Sequence, residues 1–127
     1  MFKPKGAFSG FSVNDLAKAK IFYTEVLGLE IEDNGMGLKI TLPGGVTVFA
    51  YQKENHQPAT FTILNFEVEN IDEAVDALTS KGVVFERYEG MTQDDKGVMR
   101  GIAANRGPDI AWFKDPAGNI LSIIKDK

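Results

Sequence analysis

The chain has 127 residues, 43% of them hydrophobic and 25% charged, which suits one globular domain and excludes disorder. It contains no cysteine, so disulfides, thiolate nucleophiles and zinc–thiolate sites are excluded. The net charge of −4, with Lys and Arg scattered, argues against a nucleic-acid partner and against an anionic membrane surface.

The N-terminus, Met1-Phe2-Lys3-Pro4-Lys5-Gly6, lacks the continuous apolar stretch of a signal peptide, and no run is long enough to span a bilayer. The expectation is a cytoplasmic protein. Residues 7–13 alternate as a strand does. Leu16, Ala19, Phe22, Tyr23, Val26 and Leu27 then recur at helical spacing, with Asn14 or Asp15 placed to cap and Gly28 placed to terminate. Short strands are predicted at 29–32, 36–42 and 46–51, divided by Asn34-Gly35 and Pro43-Gly44-Gly45 turns. After a polar connection at about 53–60, residues 61–68 form the next strand. Asn70 and Glu73 have capping-box spacing; Ile71, Ala74, Val75 and Leu78 supply a helical apolar face that Gly82 closes. Strands are expected near 83–88, 99–104, 108–113 and 119–125, with a mobile loop at 92–97.

The second half repeats the first at an offset of about 55 residues. Phe11-Ser12-Val13-Asn14-Asp15-Leu16 lies over Phe66-Glu67-Val68-Glu69-Asn70-Ile71, and Leu29-Glu30-Ile31-Glu32 over Val83-Val84-Phe85-Glu86. Pro43 to Phe49 lies over Pro116 to Ser122. The expectation is an α+β domain of two βαβββ modules, module one at about 6–52 and module two at 61–127.

Strands send alternate side chains to opposite faces. One face of each half faces its helix. The other carries Phe8, Gly10, Ser12, Lys39, Thr47, Phe49 and Tyr51 in the first half, and Ile63, Asn65, Glu67, Ile110, Trp112, Ile120 and Ser122 in the second. Aromatics mixed with a few polar groups are what line small-molecule pockets; a dimer interface or a second packed core would give the same pattern.

Three stretches together resemble one family. Val13-Asn14-Asp15-Leu16 with Phe22-Tyr23 and Leu27-Gly28-Leu29 is similar to the first-helix signature of the vicinal-oxygen-chelate superfamily, the glyoxalase/bleomycin resistance protein/extradiol dioxygenase family. Phe66-Glu67-Val68 with Ile71 resembles the start of its second module, and Trp112 to Asn119 resembles its closing hairpin. The resemblance covers nearly the whole chain. It implies mixed curved sheets enclosing a cavity, commonly in homodimers, and in the enzymes a divalent metal held by His, Gln or Glu. Those ligand positions fall here on Phe8, Phe49, Ile63 and Ser122. Phenyl rings and an isoleucine donate nothing to a metal, and a lone hydroxyl is a poor ligand. The expectation is therefore no metal and no cofactor.

The function expected is binding of a small molecule, with sequestration of an antibiotic or hydrophobic metabolite as one version. Phe8, Phe49, Tyr51, Ile63 and Trp112 would supply apolar area; Asn65, Glu67, Arg100 and Ser122 would orient the ligand. A glyoxalase-like lyase, isomerase or dioxygenase with a non-standard or metal-free site is the alternative, with Glu67 as its candidate acid/base group. Glu67 could equally pair with Lys39 or Arg100. A partner-binding module without a pocket is a further alternative. His56, the single histidine, is expected as a surface residue of the polar connection.

Overall fold

A computed structural model describes residues 1–126. Met1–Pro58 forms one compact unit and the chain from Ala59 onward a second.

The first unit runs β1 (Ser9–Val13), α1 (Leu16–Ile21), a π-helical turn (Phe22–Val26), β2 (Glu30–Asp33), β3 (Leu38–Thr41) and β4 (Thr47–Gln52). Asp15 is the cap of α1, its Oδ1 accepting from the Lys18 N–H at 3.1 Å. The helix was expected to continue as one piece to Leu27. Instead it widens by one residue per turn, with the Leu27 N–H bonding the Phe22 carbonyl at 3.1 Å, and the Leu29 N–H closes its end on the Tyr23 carbonyl, at 2.9 Å. Gly28, at φ +67°, takes the left-handed position that ends it.

The sheet order is β1-β4-β3-β2, with β1 parallel to β4 and the other pairs antiparallel. Val13, Leu38, Ile40, Val48 and Ala50 are buried on the helix-facing side with Ala19 and Tyr23. Tyr23 packs between Phe11 and Phe22, edge-on to Phe22 at 5.2 Å.

The second unit runs β5 (Thr62–Glu67), α2 (Ile71–Ser80), β6 (Met99–Arg100), β7 (Asp109–Lys114) and β8 (Ile120–Lys125). Its sheet order, β5-β8-β7-β6, reproduces that of the first, again with one parallel pair. The fold is α+β: two four-stranded mixed sheets, neither closed on itself. The parallel pairs of the two sheets share a register over their middle residues, since Gly10 sits opposite Phe49 as Asn65 sits opposite Ser122. Glu32 pairs with Lys39; correspondingly, the Glu86 N–H bonds the Trp112 carbonyl at 2.8 Å.

Asn70 caps α2 by accepting from the Glu73 N–H at 3.0 Å. The core of this unit is Ile71, Val75, Val83, Val98, Ala111, Phe113, Leu121 and Ile123. Asp115, 4% exposed, organises the closing turn by accepting from the N–H groups of Ala117 and Asn119 and from the Asn119 amide.

Two expected strands differ. Residues 83–88 form no regular strand: the Gln93 side chain takes the places of a neighbouring strand, accepting from the Tyr88 N–H at 2.8 Å and donating to the carbonyls of Glu86 and Gly97. The strand expected at 99–104 stops after Arg100. Gly101 there lies against the carbonyls of Gly107 and Pro108, and the Ile102 N–H turns aside to Asp109.

Candidate functional site

In the first unit, the register of β1, β3 and β4 puts Gly10, Ser12, Lys39, Thr47, Phe49 and Tyr51 on the helix-free face. Phe49 and Tyr51, two apart on β4, stack with ring centres 6.4 Å apart and planes 19° from parallel. Phe8, just before β1, is 72% exposed. Phe8 and Phe49 wall a recess of about 290 Å³, completed by Asn34, Lys39, Thr47 and Val48. That is near the lower end of the range for small-molecule pockets, about 300–1,000 Å³. Gly37 holds the recess in shape: a Cβ there would strike the Phe49 ring and the Ala50 carbonyl, so the ring packs against bare backbone.

The polar groups of the recess are donors. The Asn34 side-chain oxygen accepts from the N–H groups of Met36 and Gly37, both at 3.0 Å. This fixes the amide orientation and leaves its nitrogen as the free end. Lys39 lies beside Phe49 in the β3–β4 register and forms no ion pair among the described residues, although Glu32 is its cross-strand neighbour on β2. Asp33, next to Asn34, is held below the usual carboxylate range by the Gly35 N–H, with Lys20 adding to it at 3.5 Å.

At the far end of β1, the Ser12 hydroxyl bonds His56 Nδ1 at 2.6 Å. His56, expected as a surface residue of the polar connection, is half-buried and tied to the sheet. A 44-residue separation gave the sequence no signal of it.

In the second unit the same face is built differently. Ser122 is fully buried and bonds the Asn65 side-chain oxygen at 2.5 Å. Trp112, its neighbour on β7, is 8% exposed and has the Tyr88 ring edge-on at 5.5 Å. Burial pushes the Tyr88 phenol up, and its hydroxyl has no hydrogen-bond partner among the described residues. Ile63 falls in a bulge between Thr62 and Leu64, which breaks its correspondence with Phe8. Glu67 is exposed and forms no ion pair among the described residues.

Arg100 does not join this set. Met99 pairs with Ile110 on the Trp112 face, so Arg100 points to the opposite one. Its guanidinium grips Asp72 of α2 with two bonds of 2.7 and 3.1 Å and Asp94 with a third of 2.9 Å. It is a brace between helix, loop and strand, and Glu67 is not among its partners in the described residues. Lys96 adds bonds to Asp72 and Asp76. The Arg100 hydrogen bonds push the Asp72 carboxyl down to about 2.

Metal-donor chemistry is sparse. No group of three or more His, Asp or Glu side chains among the described residues is placed to hold an ion. At the four positions where the resemblance implies donors stand two phenyl rings, a bulged isoleucine and a serine bonded to Asn65. A divalent ion does not fit that set.

The family model of the Glyoxalase/Bleomycin resistance protein/Dioxygenase superfamily matches residues 9–123. A search of the curated proteins finds no match. Among solved structures, the fold is similar to an integron cassette protein from the mobile metagenome of the Halifax Harbour sewage outfall. The identity is 26%, the TM-score 0.67, and the match covers 96% of this chain and 99% of that one. It is also similar to a fosfomycin resistance protein from Listeria monocytogenes, with 13% identity, TM-score 0.70, and 99% and 96% of the two chains covered. An antibiotic binding protein from Streptomyces sp. CB03234 matches with 18% identity, TM-score 0.66, and 99% and 100% covered. No described helix is long and apolar enough to cross a membrane.

Proposed function

Since the chain belongs to the Glyoxalase/Bleomycin resistance protein/Dioxygenase superfamily, we propose that it is a small-molecule-binding member of that family, working as a homodimer without the divalent metal. The observation that carries this reading is the recess of the first unit. At two of the positions where metal donors are implied it has the rings of Phe8 and Phe49, which wall an apolar pocket instead. Apolar walls with a few convergent polar groups suit binding and orientation. Burying one such ring against a ligand contributes roughly 1.5–3 kcal/mol, so two rings supply about 3–6 kcal/mol before association costs, and polar contacts must add the rest to reach micromolar affinity, about 8.2 kcal/mol. Sequestration of an antibiotic or hydrophobic metabolite is the version favoured by the two relatives described as an antibiotic binding and a resistance protein.

The test is elemental analysis of the purified protein together with thermal shift. A ligand held by the native state raises apparent stability, by about 2.7 kcal/mol at a hundredfold excess over Kd. The expected outcome is no stoichiometric metal, no shift with Mn²⁺, Ni²⁺, Zn²⁺ or Fe²⁺, and positive shifts from amphipathic small molecules. One ion per site overturns the reading.

A second reading, a metal-free lyase or isomerase, is favoured by the exposed and unpaired Glu67. Glu67→Gln separates the two: an enzyme loses turnover while still binding, whereas a binder whose site is the recess of the first unit keeps its affinity, since Glu67 does not line that recess.

A further inference from the structure

We infer that the recess of the first unit selects small monoanions, an aromatic or aliphatic body carrying one carboxylate-like group, through Lys39, Asn34 and Thr47. The inference rests on the binding reading above and adds the charge of the ligand. The recess takes its walls from the rings of Phe8 and Phe49, Val48 meets it along β4 while its side chain is buried on the helix-facing side, and the remaining lining residues, Asn34, Lys39 and Thr47, have side chains that can donate. The Lys39 ammonium donates and cannot accept. The Asn34 oxygen is spent on two backbone N–H groups, so its amide nitrogen faces a ligand as a donor. The Thr47 hydroxyl, on β4 two residues from Phe49, has no partner among the described residues.

No carboxylate lines the recess. Glu32, the nearest in register, is the cross-strand neighbour of Lys39 yet does not reach ion-pair distance. Lys39 is therefore a cation with its stem alongside an aromatic ring and its head uncommitted, in a protein whose overall charge is −4. A neutral or cationic ligand leaves that head unanswered. A monoanion answers it with a charge-assisted hydrogen bond, while its body covers the rings.

Three probes of one shape test this: 2-naphthoate, 2-naphthamide and 2-naphthylmethylammonium, titrated by calorimetry at low salt, with amide chemical shifts to locate the site. Naphthoate should bind about tenfold more tightly than the amide, and the ammonium least. Its shifts should centre on Lys39, Thr47 and Phe49. Lys39→Met, which keeps the stem, should bring naphthoate and amide level. Lys39→Glu should reverse the order in favour of the ammonium. Thr47→Val should weaken naphthoate about twofold to threefold. Rising salt should shrink the anion preference and leave amide binding unchanged. Equal binding of all three by the unaltered protein overturns the inference alone, as does an anion preference that survives Lys39→Met. Absence of binding by any probe overturns the inference and the underlying binding reading together.

Discussion

The two units share strand order, parallel pair and register, yet treat the helix-free face in opposite ways. At matched places the first unit has Lys39, Phe49 and Gly10 and leaves aromatic surface accessible. The second has Trp112, Ser122 and Asn65, with the tryptophan buried and the serine bonded to the asparagine. One copy of the pattern keeps a recess; the other has its large aromatic side chain out of solvent. Topology fixes which side chains share a face, and side-chain size and hydrogen bonding decide whether that face stays open.

Truncating one aromatic side chain in each unit should produce the largest difference between them. Trp112→Ala removes a buried indole and should lower stability by about 3–5 kcal/mol. Phe49→Ala removes a half-buried ring and should cost at most about 1.5 kcal/mol, the low end for a fully buried side chain, while abolishing most small-molecule affinity. Urea unfolding and probe titration on both variants check it. Equal destabilisation would erase the distinction between a packed face and an open one.

Gly37→Ala should come next, at about 1–3 kcal/mol, because the added methyl meets both the Phe49 ring and a strand carbonyl. Its affinity loss should match that of Phe49→Ala. Ser122→Ala should cost about 1 kcal/mol, since the exposed Asn65 recovers a partner from water. It should leave binding in the first unit untouched.

The smallest effect is electrostatic and confined to the second unit. Asp72 titrates at about 2 against an ordinary 3.8 because Arg100 bonds its ionised form. A lowered carboxylate pKa stabilises the folded state above the unfolded value and loses that contribution as pH falls through the folded one. The stability gap between the unaltered protein and Arg100→Met should therefore be level well above pH 4, narrow as pH falls through 3.8, be mostly lost by about 2 and vanish below it. Midpoints of urea unfolding at pH 7, 4, 3 and 2 measure it, and high salt should shrink the gap at pH 7.

Much of the framework the two units share was legible in the sequence because it rests on short-range rules, whereas the difference in how their faces are filled was not. Asp15, Asn70, Gly28 and Gly82 marked helix ends through the chemistry of orphaned N–H groups and left-handed backbone. Period-two alternation together with the repeat placed Phe49, Tyr51, Asn65 and Trp112 on their faces. What stayed hidden depends on side chains that reach across the chain. Gln93 replaces strand partners for residues 86–88, Arg100 chooses Asp72 and Asp94 over the helix-free face, and Ser12 finds His56. Each is one hydrogen-bonding option among several that composition allows, and packing selects it. The bulge at Ile63 belongs to the same class, since one residue of slippage leaves the repeat pattern intact while re-aiming a side chain.

The substitution of a glutamine side chain for a strand has a consequence at high protein concentration. An exposed sheet rim invites strands from other molecules to add to it and seed fibrils. The outer rim of the second sheet offers only the two residues of β6, and beyond them the Gln93 amide already occupies the Glu86 carbonyl and the Tyr88 N–H. The corresponding rim of the first sheet, β2, carries Glu30, Glu32 and Asp33, whose charges repel another copy of themselves. Through side-chain capping at one rim and acidity at the other, both of these edges resist open-ended self-association.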